Sequence, residues 1–143
     1  MSNVVLGKMP EHKFLLTADA GILALSAAMD YADEIGENIK QTVKFIQVPH
    51  HGGKHNISTS IMNRMIGNIV EEGETIEKIA YVNAAVGSDH PLQIVVNAFT
   101  RRGVSVYKTN GKIIWYHVNM PKREGWTSIT KLPFDKNVEE WDD

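Results

Sequence analysis

The chain has 143 residues, of which 43% are hydrophobic and 22% are charged. This length and composition fit one globular domain and exclude a disordered chain. Fifteen Lys and Arg against seventeen Asp and Glu leave a formal charge of −2, so no global basic field is available to hold a polyanion and any contact with nucleic acid must be local.

The sequence lacks cysteine and lacks long apolar segments, and each absence limits what the protein can be. Because the chain contains no cysteine, any transition metal must be held by histidine and carboxylate side chains. No apolar run approaches the roughly 18 residues of a membrane span, and the first residues lack the pattern of a signal peptide. We therefore expect a cytoplasmic protein without a membrane segment.

The first half of the chain predicts a hairpin, a helix and a strand. Residues 3–9 and 14–17 are apolar or β-branched and are separated by a turn-forming segment that begins at Pro10. Residues 20–35 carry apolar side chains mostly at helical spacing, and Gly36 suits a helix C-terminus. Residues 43–48 then alternate as a strand does, and Pro49 ends it.

The second half predicts two further helices and a second hairpin. A helix begins near Ser58, a buried strand covers 78–85, and a helix with Leu92 and Phe99 on one face follows. Residues 104–109 read as a strand, and Asn110-Gly111 predicts a two-residue turn into another strand at 112–118. The predicted fold is α/β with the order β-β-α-β-α-β-α-β-β. The tail, 119–143, has an order that the sequence leaves open, although three of its aromatic residues are able to dock on a surface: Trp126, Phe134 and Trp141.

Two polar features follow apolar strands directly. Asp19 ends the segment FLLTAD, and the pair His50-His51 follows FIQVP and precedes two glycines. If the two strands are neighbours in one sheet, a carboxylate and one or two imidazoles meet at the same edge, which suits zinc or manganese with mixed nitrogen and oxygen ligands. Glycine after His51 permits a close approach of backbone or ligand.

Each of these features also has a plain structural interpretation. An aspartate between a strand and a helix commonly caps the helix, so Asp19 alone does not establish a site. His50 and His51 also fit a polar turn whose imidazoles face solvent. His90, before Pro91 at a third strand end, either reaches the same edge or is an ordinary loop histidine. We assign no chemistry to the remaining histidines, which are His12, His55 and His117.

Four segments, taken in order, resemble the C-terminal half of metallo-β-lactamase-fold hydrolases. They are FLLTADA, VKFIQVPHHGGKHNISTS, IAYVNAAVGSDHP and RRGVSVYKTNGKI. The subgroup they resemble most is typified by the lactamase-like domain of DNA-uptake competence proteins. That subgroup has a strand ending in LLTGD, a strand ending in HHGS, an HP pair before a helix, and a KRGxxVYRT-type strand. The resemblance runs from about residue 2 to residue 114.

The resemblance implies a role for each candidate residue. Asp19 matches the carboxylate that bridges two metal ions, and the histidine pair matches a metal-ligand motif, with His51 favoured over His50 because the ligand precedes glycine. His90 matches a position that contacts substrate or assists proton transfer. The implied reaction is attack by metal-held water or hydroxide on a phosphodiester or related ester, with nucleic acid among the possible substrates.

One departure from the family pattern bears on activity. The family's HxHxDH motif lies upstream of the LLTGD strand, and nothing like it occurs in these 143 residues. We therefore predict that residues 1–118 form the second half of an αββα metallo-β-lactamase sandwich and are inactive alone, needing either the missing N-terminal half or self-association into a dimer. The alternative is a non-catalytic half-fold that serves as a binding or scaffold module.

Overall fold

A computed structural model describes residues 2–138, which carry four helices beside one five-stranded mixed sheet. The longest helix has 13 residues, and none of the described helices is long and apolar enough to cross a bilayer. The strands are β1 (Val5–Lys8), β2 (Lys13–Leu16), β3 (Val43–Gln47), β4 (Ile79–Val82) and β5 (Ser105–Lys108). The helices are α1 (Ile22–Glu34), α2 (Ile39–Thr42), α3 (Thr59–Met65) and α4 (Gln93–Thr100).

The α/β class and the first eight predicted elements are confirmed, within a few residues at their ends. The initial hairpin forms, with Val5 opposite Leu16 in antiparallel register. One element was not predicted: the four-residue helix α2, whose N-terminal cap is Asn38. The Asn38 side chain caps it by accepting a hydrogen bond from the Gln41 N–H at 3.2 Å. A single helical turn is too short to leave a periodic signal in the sequence.

The strands lie in the sheet in the same order as in the chain. β1 pairs antiparallel with β2, whereas β2, β3, β4 and β5 are mutually parallel. The carboxyl ends of these four parallel strands therefore meet at one edge of the sheet. Loops that follow parallel strands are the usual place for a ligand site in open α/β sheets.

One row of strand residues forms the floor of the core. Leu15, Ile46, Ala80 and Val106 lie in register across β2 to β5, and each is at most 1% exposed. They belong to one cluster with the buried residues of the helices, such as Phe99 of α4. Alternate strand residues point to opposite faces, so the helices cover one face of the sheet.

The opposite face carries aromatic side chains that are only half-buried. Phe45, Tyr81 and Tyr107 follow one another across β3, β4 and β5, with ring centroids 5.0 and 5.7 Å apart. The Tyr116 ring lies 4.8 Å from that of Phe45 and 6.3 Å from that of Tyr81. The segment around Tyr116 thus crosses this aromatic face and covers part of it.

The predicted final strand at 112–118 is wrong, although the turn before it forms. Asn110 and Gly111 both have positive φ, 49° and 70°, as the predicted turn requires. The chain then leaves the edge of the sheet so that Tyr116 packs on the aromatic face. Leu132 donates a backbone hydrogen bond of 2.7 Å to the Val106 carbonyl, at the free side of β5 where the hairpin partner would pair. Packing of the Tyr116 ring on the aromatic face thus takes the place of edge pairing by residues 112–118.

The described part of the tail, 119–138, docks on α4 without forming a helix or strand. The Asn97 amide donates to the Asp135 carbonyl at 2.7 Å and accepts from the Asp135 N–H at 3.0 Å. Phe134 lies under the Arg101 guanidinium, 5.1 Å away. Trp126 contacts Trp115 in edge-to-face geometry at 6.3 Å. Two of the three aromatic residues expected to dock therefore do so, and the third, Trp141, lies outside the described residues.

A buried lysine leads to a prediction about stability and pH. Lys78 is 5% exposed, and its ammonium group donates to the carbonyls of Lys40 and Val43. Burial, with a smaller contribution from the charge of Lys44, lowers the pKa of Lys78 to about 8. Because the unfolded value is about 10.4, the unfolded chain binds more protons between these values and stability rises with pH across that window. We expect the free energy of unfolding to rise by about 1–2 kcal/mol from pH 7.5 to 9.5.

Urea denaturation at each pH measures this rise. In Lys78→Met the rise should disappear, whereas Lys122→Met, at an exposed lysine, should keep it. Burial raises the pKa of Tyr81 and Tyr116, so their effect on stability begins above about pH 10 and lies outside the window. Equal slopes in wild type and Lys78→Met would contradict the role given to Lys78.

Candidate functional site

The structure brings Asp19 together with both histidines of the pair. Asp19 follows β2, and His50 and His51 follow the neighbouring parallel strand β3. The Asp19 Oδ1 atom lies 3.7 Å from His50 Nδ1 and 3.8 Å from His51 Nε2. All three side chains are between 51 and 61% exposed, so the group opens to solvent. The sequence prediction that these residues meet at one sheet edge is confirmed.

The orientation of His51 is fixed by the loop after the next strand. Its Nδ1 lies 2.6 Å from the carbonyl oxygen of Asn83, which follows β4. A carbonyl only accepts hydrogen bonds, so Nδ1 is the donor here, and Nε2 is the ring nitrogen that lies on the side of Asp19. A histidine that ligates a metal commonly holds its other ring N–H in this way. His51 is therefore oriented as a ligand that binds through Nε2 would be.

The backbone around the site adopts a conformation that is uncommon for residues other than glycine. Ala18, His50 and His51 have φ values of 46°, 45° and 55°. The two turns are joined by a hydrogen bond of 2.9 Å from the His50 N–H to the Ala18 carbonyl. Each left-handed residue costs on the order of 1 kcal/mol, and such residues cluster at functional sites.

Asp19 does not cap the following helix. The N-terminal cap of α1 is Gly21, and no side chain accepts a hydrogen bond from the first turn. The plain interpretation of Asp19, in which the carboxylate serves the helix, is therefore wrong. Its carboxylate faces the two imidazoles instead.

His90 lies on a loop that packs against the turn Pro49–Gly52, called here the histidine turn. The Leu92 N–H donates to the Gly52 carbonyl at 3.2 Å, which joins the start of α4 to that turn. The His90 Nδ1 pairs with Asp89 Oδ1 at 2.9 Å, so the imidazole is oriented by its own neighbour. The His90 ring has no hydrogen bond or ion pair with Asp19, His50 or His51, and the loop meets the histidine turn through the backbone bond of Leu92.

Gly52 is required by the close approach of these two loops. Its φ is 85°, and a Cβ at this position would lie 2.4 Å from the Cβ and 2.8 Å from the Cα of Pro91. Pro91 can therefore pack against this position only because residue 52 is a glycine. Gly53 differs, because its φ is −73° and the nearest atom to a Cβ would be 3.4 Å away.

This difference predicts unequal effects of the same substitution. We expect Gly52→Ala to lower the free energy of unfolding by about 2–4 kcal/mol, because it combines overlap with backbone and an unfavourable φ. Gly53→Ala should cost less than about 1 kcal/mol. Urea denaturation of both variants measures the difference, and equal values would show that the two loops separate freely.

Sequence reasoning missed Gln47, the last residue of β3. Its side-chain oxygen accepts hydrogen bonds from the backbone N–H groups of Thr17 and Ala18, at 3.0 and 2.9 Å. The Thr17 hydroxyl donates in return to the Gln47 carbonyl at 2.7 Å. No sequence pattern marks this role of Gln47, because the partners of its side chain are backbone N–H groups about 30 residues earlier in the chain.

The donor set suits a divalent metal only in part. A tetrahedral zinc ion with bonds of about 2.0–2.1 Å sets its ligand atoms roughly 3.3–3.4 Å apart, a few tenths of an ångström closer than those observed here. Within residues 2–138, no group of three or more His, Asp or Glu side chains is arranged to hold a metal ion. Asp19 and the two imidazoles thus supply suitable atoms without a complete coordination shell.

Comparison with known proteins adds no relative. No protein-family model, no curated protein and no solved structure matches this chain.

Proposed function

We propose that this chain is the C-terminal portion of a metal-dependent hydrolase of the metallo-β-lactamase superfamily, inactive by itself. The proposed substrate is a phosphodiester or related ester, with nucleic acid as one such substrate. The observation that carries the proposal is the meeting of the Asp19 carboxylate with His50 and His51 at the ends of adjacent parallel strands.

Asp19 and His51 are the proposed first ligands of a divalent metal, with zinc favoured and manganese as the alternative. Asp19 offers carboxylate oxygens that are able to bridge two ions, and His51 offers the lone pair of Nε2. His50 offers Nδ1 from the other side of the carboxylate. A bound metal would supply a water of lowered pKa as nucleophile and would stabilise developing charge.

His90 is the proposed proton-transfer or substrate-contacting residue. Its Nδ1–H is committed to Asp89, which leaves Nε2 available to accept or deliver a proton. Its loop contacts the histidine turn through the Leu92–Gly52 hydrogen bond, two residues after His90.

The missing N-terminal half of the sandwich is the proposed partner, and a dimer of this chain is the alternative. Support comes from the aromatic face of the sheet, where Phe45, Tyr81 and Tyr107 are only half-buried opposite the helices. In an αββα sandwich this is the face on which a second sheet packs. The partner would also bring the HxHxDH ligands that this chain lacks.

A binding or scaffold module is the second candidate function. In its favour, Tyr116 already covers part of the aromatic face, and no three His, Asp or Glu side chains among the described residues are arranged closely enough to hold a metal ion. Against it, Asp19 serves no helix cap, and His51 is held with Nε2 turned toward a carboxylate. Because of these observations on Asp19 and His51, we favour the hydrolase portion over the scaffold.

Metal titration of the purified chain tests the proposal directly. We expect zinc or manganese to bind with micromolar or weaker affinity, because only two or three ligands are present, and to appear in elemental analysis after mild dialysis. Absence of binding at millimolar metal, for both ions, would favour the scaffold instead.

A further inference from the structure

We infer that Gln47 is a positioning residue, an inference that rests on the proposed function. It fixes the turn at residues 17–20, called here the Asp19 turn, relative to the histidine turn. Its carboxamide oxygen accepts two backbone hydrogen bonds at once, from Thr17 at 3.0 Å and from Ala18 at 2.9 Å. These are the two amides that immediately precede Asp19. The Asp19 turn is therefore held by a side chain of the neighbouring strand.

The need for this side chain follows from the position of the turn. β2 ends at Leu16, so the next two N–H groups have left the strand pairing, and Thr17 is fully buried. A buried N–H without an acceptor costs about 1–3 kcal/mol, and Ala18 adds the cost of a positive φ. Gln47 satisfies both amides from the last position of β3, where its main chain also accepts the Thr17 hydroxyl at 2.7 Å.

The same contacts reach the histidine turn through one residue. Ala18 donates its N–H to Gln47, and its carbonyl accepts the His50 N–H at 2.9 Å. Loss of the Gln47 oxygen would therefore free the Ala18 N–H and leave the bond between the Ala18 carbonyl and the His50 N–H without this anchor on the other side of the residue. The separations of 3.7 and 3.8 Å between Asp19 and the imidazoles depend on this link, and ligand geometry tolerates errors of only about 0.5 Å.

Zinc titration of three variants tests the inference. Gln47→Met removes the acceptor while keeping the length of the side chain, and we expect its zinc affinity to fall by about 10–100-fold, as for other residues that orient ligands. Gln47→Glu keeps an acceptor oxygen and adds a negative charge beside the metal, so its affinity should equal or exceed that of wild type. Gln41→Met, at an exposed glutamine in α2, should bind zinc as wild type does.

A readout without metal separates failure of Gln47 from failure of the proposed function. Amide hydrogen exchange should accelerate at Thr17 and Ala18 in Gln47→Met and remain unchanged in Gln47→Glu and Gln41→Met. If wild type binds no zinc, the proposed function fails, and unchanged exchange would overturn the link itself. If wild type binds zinc and Gln47→Met binds it equally well, the metal site stands and the positioning role is overturned. Urea denaturation of each variant confirms that the chain is folded.

Discussion

Replacing Asp19 with alanine is expected to weaken zinc binding by at least about 100-fold, more than the loss of a residue that merely orients a ligand. Within residues 2–138 the carboxylate is the one group paired with both imidazoles, at 3.7 and 3.8 Å, so its removal takes away their shared partner. It is also free of any role as a cap of α1. The fold should therefore persist while metal affinity is lost.

His51→Ala is expected to match Asp19→Ala, and His50→Ala to have a smaller effect. His51 is oriented by its hydrogen bond to Asn83, whereas the His50 ring makes no such bond to another loop in the part of the chain that the structure describes. His55→Ala is the matched control, because it removes an exposed imidazole four residues further on. Isothermal titration with zinc and with manganese measures all four variants. Wild-type affinity in Asp19→Ala or in His51→Ala would remove that residue from the site.

The largest effect is expected when the chain is completed with an HxHxDH-bearing half. Alone, with saturating zinc or manganese, the chain should hydrolyse bis(p-nitrophenyl) phosphate no faster than buffer. Under the proposed function the reaction uses two metal ions, and the two or three ligands of this chain are too few to hold both. Supplying the N-terminal half of a hydrolase from the subgroup that the sequence resembles, as a fusion, should then raise the metal-dependent rate on the order of a thousandfold or more.

Variants of the fusion distinguish catalysis from contamination. Asp19→Ala should abolish the gained rate, whereas His90→Ala should keep metal binding and lose about 10²–10⁴-fold in rate if it transfers a proton. Charge placed on the aromatic face by Tyr81→Glu should weaken association of separately expressed halves. Hydrolysis by the chain alone would contradict the half-site, and a folded, metal-loaded fusion without activity would favour the scaffold.

Much of the fold could be predicted because its signals are local. The helix α1 buries apolar residues at helical spacing along its 13 residues, Ser58 caps α3 through the Ile61 N–H, and Asn110-Gly111 forms its predicted turn. These features depend on residues a few positions apart. The prediction of a strand at 112–118 was wrong. Tyr116 of this segment packs instead on Phe45 and Tyr81, which belong to distant strands, and no local pattern indicates that contact.

The sequence by itself determined that Asp19 and the histidine pair follow buried strands, that no cysteine competes for a metal, and that HxHxDH is missing. Only the tertiary structure decided that β2 and β3 are parallel neighbours, which sets the carboxylate opposite both imidazoles. It also decided that Asp19 does not cap α1, that Gln47 holds the turn before it, and that Gly52 admits Pro91. The strand order and the contacts between loops join segments about 30 or more residues apart. The interactions that stabilise them form only when those segments pack together, so no local sequence pattern indicates them.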